Sequence, residues 1–273
     1  TFRGGLTNNS SSGFTSGSGT YTFDTNAQTI SGSQSFTITN LTNNVTTSTG
    51  LTFSGAQPTV TTLTQGSSAQ LTFSGSMPTI TTLTATASSN TVSYTSTAGA
   101  QTTIGTTYVN LTIDKSGQTA TLGGNTTVNN NLTITLGTLD VDTTNNYSLS
   151  VGGNFANSGT FTARAGTVTL TSTSSSATLT SGGSSFYALT QNGSGGTYTL
   201  QDALSVSNNL VMTAGTLQLA AQSLTVTGTT SITGTLNDNS ATGTNLFVGA
   251  VTINSGGIWT ETNNPAFTFR GGL

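Results

Sequence analysis

The chain has 273 residues, of which 4% are charged, and a formal net charge of −3. It contains no cysteine and no histidine, which excludes disulfide staples and transition-metal sites built on thiolate or imidazole. Four basic residues are too few for a nucleic-acid-binding surface, and no segment reaches the roughly 18 consecutive apolar residues of a membrane-spanning helix, so neither nucleic acid nor membrane insertion is expected.

Apolar residues make up 32%, against a usual ~45–50%. A chain of this kind is disordered when net charge is high and strand formers are scarce. Here the charge is small and Thr, Val, Ile, Tyr and Phe are plentiful, so an ordered all-β fold with a thin core and a neutral polar surface is expected.

Along the chain, the first feature is the hexapeptide TFRGGL: Thr1, Phe2, Arg3, Gly4, Gly5 and Leu6. It returns letter for letter as Thr268, Phe269, Arg270, Gly271, Gly272 and Leu273. The two copies hold two of the four basic residues, which makes chance a poor account of the repetition. SGFTSGSGTYTF (12–23) has a counterpart one residue longer in SGTFTARAGTVTL (158–170). LTFSGAQPTVTTLTQGSSAQ (51–70) is followed directly by LTFSGSMPTITTLTATASSN (71–90). That 20-residue offset sets Leu51, Phe53, Pro58 and Leu63 on Leu71, Phe73, Pro78 and Leu83. A longer segment, 108–141, aligns without a gap to 186–219, an offset of 78. Leu122 falls on Leu200, Asn131–Leu132 on Asn209–Leu210, and Gly137-Thr-Leu139 on Gly215-Thr-Leu217.

Inside these repeats the apolar residues alternate, as in Leu139, Val141, Leu149 and Val151 and again in Leu217, Leu219, Leu224 and Val226. Period two sends them inward and their Thr, Ser and Gln neighbours outward. Gly, Asn and Ser between the runs supply turns. A unit of about 20 residues with several short strands predicts one coil of a parallel β-helix (β-solenoid), and the whole chain about 13 such coils.

Few residues carry chemistry. Asp140 and Asp142, in LDVDTT, are expected to share a strand face, where paired carboxylates could act as acid and base or hold a cation. The matching copy has Gln218 and Ala220 there, so the repeat does not retain the pair and a strand-end turn explains it better. T-x-T triplets recur at Thr20–Thr22, Thr59–Thr61, Thr79–Thr81, Thr133–Thr135, Thr167–Thr169, Thr197–Thr199 and Thr225–Thr227. Thr rows on a solenoid resemble ice-binding surfaces, but a flat ice face needs one register coil after coil. The spacings of these triplets vary widely, and Thr is a favoured exposed strand residue in any case. Asn40, Asn44, Asn110, Asn125, Asn131, Asn146 and Asn192 head N-x-S/T sequons that an exported chain could use to carry surface glycans.

The phrases VNNNLTITLGTLDV (128–141), SVGGNFANSGTFTARAGTVTL (150–170) and TLTATASSNTVSYTSTAGAQTT (82–103) resemble the β-strand-repeat regions of very large bacterial surface and secreted proteins. Those regions are similar in style to autotransporter and filamentous-haemagglutinin passengers. The resemblance implies a parallel β-helix outside the cell, used as fibre, adhesin stalk or coat, and it implies no catalytic residues and no cofactor.

The expectation is therefore a structural, non-enzymatic protein at the cell surface that continues end to end into a filament, with itself as partner, head to tail. Residues 1–267 would be one solenoid repeat unit and residues 268–273 the start of the next, either inside one giant tandem polypeptide or between stacked subunits. The alternatives are an adhesin passenger, an ice-binding Thr-rich solenoid and a polysaccharide-active enzyme with a groove converging on Asp140 and Asp142.

Overall fold

A computed structural model describes residues 1–11, 14–55, 58–239, 242–263 and 265–272. Every regular element among them is a β-strand, 29 in all, and the strands stack in parallel. The chain divides into two compact units. One holds residues 1–124 with 135–138, and the other holds 125–134 with 139–273. Each is a parallel β-solenoid, and the described residues make about 12 turns of about 21 residues.

In the first unit the tandem 20-residue repeats lie directly on one another. Strand Leu51–Phe53 pairs with Gln70–Phe73, Leu51 against Leu71 and Phe53 against Phe73, and strand Thr59–Gln65 pairs with Thr79–Thr84, Leu63 against Leu83. Identical positions stack because each coil returns to the same angular position, so like side chains form inward columns. One column runs Phe53, Phe73, Tyr94, with ring centroids 5.6 and 5.2 Å apart, and ends against Ile113. Coil length is not constant: Leu6 pairs with Ile30, Leu51 with Leu71 and Val92 with Leu111, offsets of 24, 20 and 19 residues, and the difference is taken up in turns.

The 78-residue repeat is equally literal. Strands Asn110–Leu122, Thr126–Val128 and Leu132–Asp140 have counterparts of equal length in Ala188–Leu200, Leu204–Val206 and Leu210–Gln218. The repeated Gly-Thr-Leu has a steric cause. Gly137 and Gly215 have φ of +76° and +74°. A β-carbon there would come within 1.9 Å of the Lys115 carbonyl oxygen and 2.1 Å of the Gly193 carbonyl oxygen, respectively. No other residue fits.

The core of the second unit runs in columns such as Leu149, Val168, Leu189, Leu210 and Val151, Leu170, Gln191, Met212, Ile232, all fully or almost fully buried, including the one polar member, Gln191. No helix among the described residues is long and apolar enough to cross a membrane.

Candidate end-to-end junction

Both copies of the hexapeptide are built into outer coils, one in each unit. In the first copy Thr1 is exposed and Phe2 forms a parallel bridge with Phe23, their rings stacked at 4.9 Å and 14°. The Phe2 N–H donates to Thr22 O at 2.7 Å, and the Phe2 carbonyl accepts from Asp24 N–H at 3.3 Å. The chain bends at Arg3 and Gly4, and Leu6 begins strand Leu6–Asn8, which pairs with Gln28–Gly32. All of these contacts go to the coil that follows in sequence.

The second copy repeats the local conformation but faces the other way. Thr268 and Phe269 end strand Ala266–Phe269, which pairs with Thr244–Phe247 of the preceding coil. The Phe269 ring stacks on Phe247 at 5.5 Å and 12°, and Arg270 N–H donates to Phe247 O at 2.9 Å. Arg270 and Gly271 bend as Arg3 and Gly4 do, and the Gly272 carbonyl accepts from Val251 N–H at 3.2 Å. Leu273 lies outside the described residues.

The glycines make the relation quantitative. Gly5 and Gly272 share a left-handed backbone, φ +82° and +95°. A β-carbon on Gly5 would meet Thr29 O at 2.6 Å, while one on Gly272 would meet nothing within 4 Å. The other pair is reversed: a β-carbon on Gly271 would meet the Gly249 carbonyl carbon at 2.5 Å and Ala250 N at 2.7 Å, while one on Gly4 would meet nothing. The first glycine is thus required by a coil behind it and the second by a coil ahead. Each copy has one crowded and one open glycine, in opposite order.

The basic residues divide the same way. Arg3 Nε donates to Asp24 Oδ1 at 3.1 Å, and this bond holds the Asp24 carboxyl below its ordinary pKa. Arg164 grips Asp140 through Nε at 3.1 Å and the terminal Nη2 at 2.6 Å, which pushes the guanidinium pKa up. Lys115 is fully buried, its Nζ donating to Ser96 O, Gly99 O and Gln101 Oε1 at 2.7, 3.0 and 2.9 Å, and burial draws its pKa down to about 8. Arg270 makes no ion pair among the described residues.

The last coil of the second unit has an open apolar edge. Ile253, Ile258 and Phe269 are three of the four exposed large hydrophobics in the chain's described residues, and Ile253, Trp259, Glu261, Phe267 and Phe269 line a recess of about 240 Å³ there. Phe23, Asp24, Phe247 and Trp259 are the junction neighbours that inspection of the hexapeptide alone did not single out. Reading one coil length forward from Phe2 and one back from Phe269 would have reached Phe23 and Phe247.

The acidic pair corrects the expectation of a shared strand face. Strand Leu132–Asp140 ends at Asp140, and Asp142 lies beyond it with φ +79°. Asp140 is nearly buried, its oxygens taken by Arg164 and by the Asp142 N–H at 3.0 Å. Asp142 Oδ1 accepts from the backbone N–H groups of Asn145 and Thr144 and closes a turn, which lowers its pKa. The two carboxylates are therefore occupied in turning the chain. No group of three or more acidic residues that could hold a metal ion occurs among the described residues.

Comparison with protein-family models, with curated proteins and with solved structures finds no match.

Proposed function

We propose that the chain is one repeat unit of a structural protein, a β-solenoid that continues end to end into a filament at the cell surface. The reading rests on the hexapeptide. One TFRGGL coil placed between the two partners seen here would stack its Phe between Phe247 and Phe23, ion-pair its Arg with Asp24, and crowd both of its glycines. Its backbone groups would be used on both edges, backward by the Arg N–H and forward by the Phe N–H and C=O.

The rest of the edge supports the same register. Thr268 stands 267 positions after Thr1, so the continuation of strand Ala266–Phe269 meets strand Thr20–Asp24 of the following unit, with Phe267 beside Tyr21 and Phe269 beside Phe23. The strand Leu6–Asn8 of that unit falls on the open edge of Val251–Ile253, to which Gly272 already bonds. Identical interfaces related head to tail that do not close on themselves propagate into open filaments.

A covalent tandem array accounts for the duplicated hexapeptide better than separate subunits do. In separate 273-residue chains the two copies would compete for one coil position, because Phe2 already occupies the edge of Thr20–Asp24 that Phe269 of a neighbour needs. The surface location and the likeness to bacterial β-strand-repeat proteins belong to the same proposal, supported by the parallel solenoid fold and by the near absence of charge. The test is the native polypeptide on a denaturing gel. A band far above 27.4 kDa is expected; a 27.4 kDa species that stays monomeric, with no fibres by electron microscopy, overturns the reading.

A further inference from the structure

The first unit carries a second regular surface, on the outward face of strands of which the junction uses only the outer edge. Strands Thr20–Asp24, Thr37–Asn44, Thr59–Gln65 and Thr79–Thr84 stack in parallel. Their register sets Thr20, Asn40, Thr62 and Thr82 in one row and Thr22, Thr42, Thr64 and Thr84 in the next. Between the rows Leu41, Leu63 and Leu83 point into the core. Four consecutive coils thus present a T-x-T triplet at one height, with a single Asn substituted. The sequence conceals this because two triplets, Thr62–Thr64 and Thr82–Thr84, directly follow others, and because the coil between Asn40 and Thr62 is two residues longer than its neighbours. The turns absorb the difference. Farther along the same strands, Thr15, Thr37, Thr59 and Thr79 make another row.

The rows repeat about every 4.8 Å from coil to coil and about every 6.6 Å along a strand, the distance to the second residue on the same face. Branching at Cβ restricts χ1, so each Thr offers a hydroxyl and a methyl in a repeatable direction. None of the seven Thr hydroxyls of the two central rows has a partner among the described residues.

The chemistry of the facet narrows its occupant. No Lys, Arg or Glu lies on these four strands, and Asp24, at one corner, is paired with Arg3. No exposed large hydrophobic lies there, so the facet lacks the anchors of a protein interface core. A neutral, evenly spaced grid of hydroxyls that can both donate and accept, interleaved with methyls, matches a neutral lattice of water. A charged group would keep its own hydration shell and break that lattice. We infer that the facet from Thr20 to Thr84 binds ice.

The experiment uses the 273-residue chain in ice-affinity partition and ice-recrystallisation assays, with Thr64→Lys in the middle of the grid and Thr169→Lys on an outward position of the second unit, both checked for native circular dichroism. Thr169 alternates with buried Val168 and Leu170 and serves as the control. The inference expects the parent chain and Thr169→Lys to partition into ice and arrest recrystallisation, and Thr64→Lys to lose both. Absence of activity in the parent, its persistence in Thr64→Lys, its loss in both variants, or retention on crystalline polysaccharide in place of ice each overturns it. The outcome is independent of whether the solenoid continues end to end, which the polypeptide mass decides.

Discussion

Single residues matter here mainly where a polar group sits inside a column of apolar ones. Gln191 is fully buried between Leu170 and Met212, and neither its amide nitrogen nor its oxygen has a hydrogen-bond partner among the described residues. A buried amide without partners costs about 1–3 kcal/mol. Gln191→Met, similar in volume, is therefore expected to raise unfolding stability by about 1–2 kcal/mol, read from the denaturant midpoint. Tyr94 and Tyr108 show the opposite case. Ile104 N–H donates to the Tyr94 hydroxyl at 2.9 Å, the two hydroxyls are 3.0 Å apart, and Tyr108 donates to Ile104 O. Burial pushes the Tyr94 pKa up to about 12 and that of Tyr108 well above its ordinary value. The folded chain keeps these protons where the unfolded chain releases them. Their stabilisation is thus complete below pH ~10 and is lost as pH rises toward the folded values. Unfolding midpoints measured from pH 8 upward should fall above pH 10, and Tyr94→Phe should flatten that fall.

At the scale of strands, stability comes from columns. The aromatic column Phe53, Phe73, Tyr94 fills the interior of three successive coils, and Phe73 touches both neighbours. Phe73→Ala is expected to cost about 3–5 kcal/mol because neither ring can move in to close the gap. Chemical denaturation monitored by far-UV circular dichroism measures it. Register at the repeated Gly-Thr-Leu depends on a bare α-carbon within the strand, so Gly215→Ala should destabilise by more than the ~1 kcal/mol of a helical Gly/Ala exchange, and with the opposite sign. The short repeats were legible at this scale. Leu51 with Leu71 and Leu63 with Leu83 read off the sequence as the pairs that the sheet forms. The Thr grid was not legible, since its register depends on which turns absorb extra residues.

At the scale of the whole molecule the proposed joining coil makes its own predictions. Phe2 holds the edge that a second Phe269 would need, so removing residues 1–6 frees it. A chain of residues 7–273 is expected to form linear head-to-tail polymers, seen by size-exclusion chromatography and electron microscopy. Residues 7–267, which lack both hexapeptides, should remain unpolymerised. Polymers from both chains, or from neither, would count against the hexapeptide as the joining coil. Asp24→Lys in the 7–273 chain places a cation against Arg270 and should slow polymerisation, with part of the loss recovered at higher salt as the repulsion is screened.

The sequence by itself determined the class of fold, because period-two apolar alternation, abundant β-branched residues and tandem offsets of 20 and 78 residues admit few architectures other than stacked parallel coils. It also determined that TFRGGL is special, since a repeated word is visible without coordinates. Only the tertiary structure decided which side of each copy is used. Glycine crowding and backbone hydrogen-bond direction depend on the neighbouring coil, which is 20 or more residues away. It also decided that Asp140 and Asp142 turn a corner together with Arg164, a residue 24 positions from Asp140. Local pattern sets how a segment alternates; the length of every turn between segments sets what it lies against.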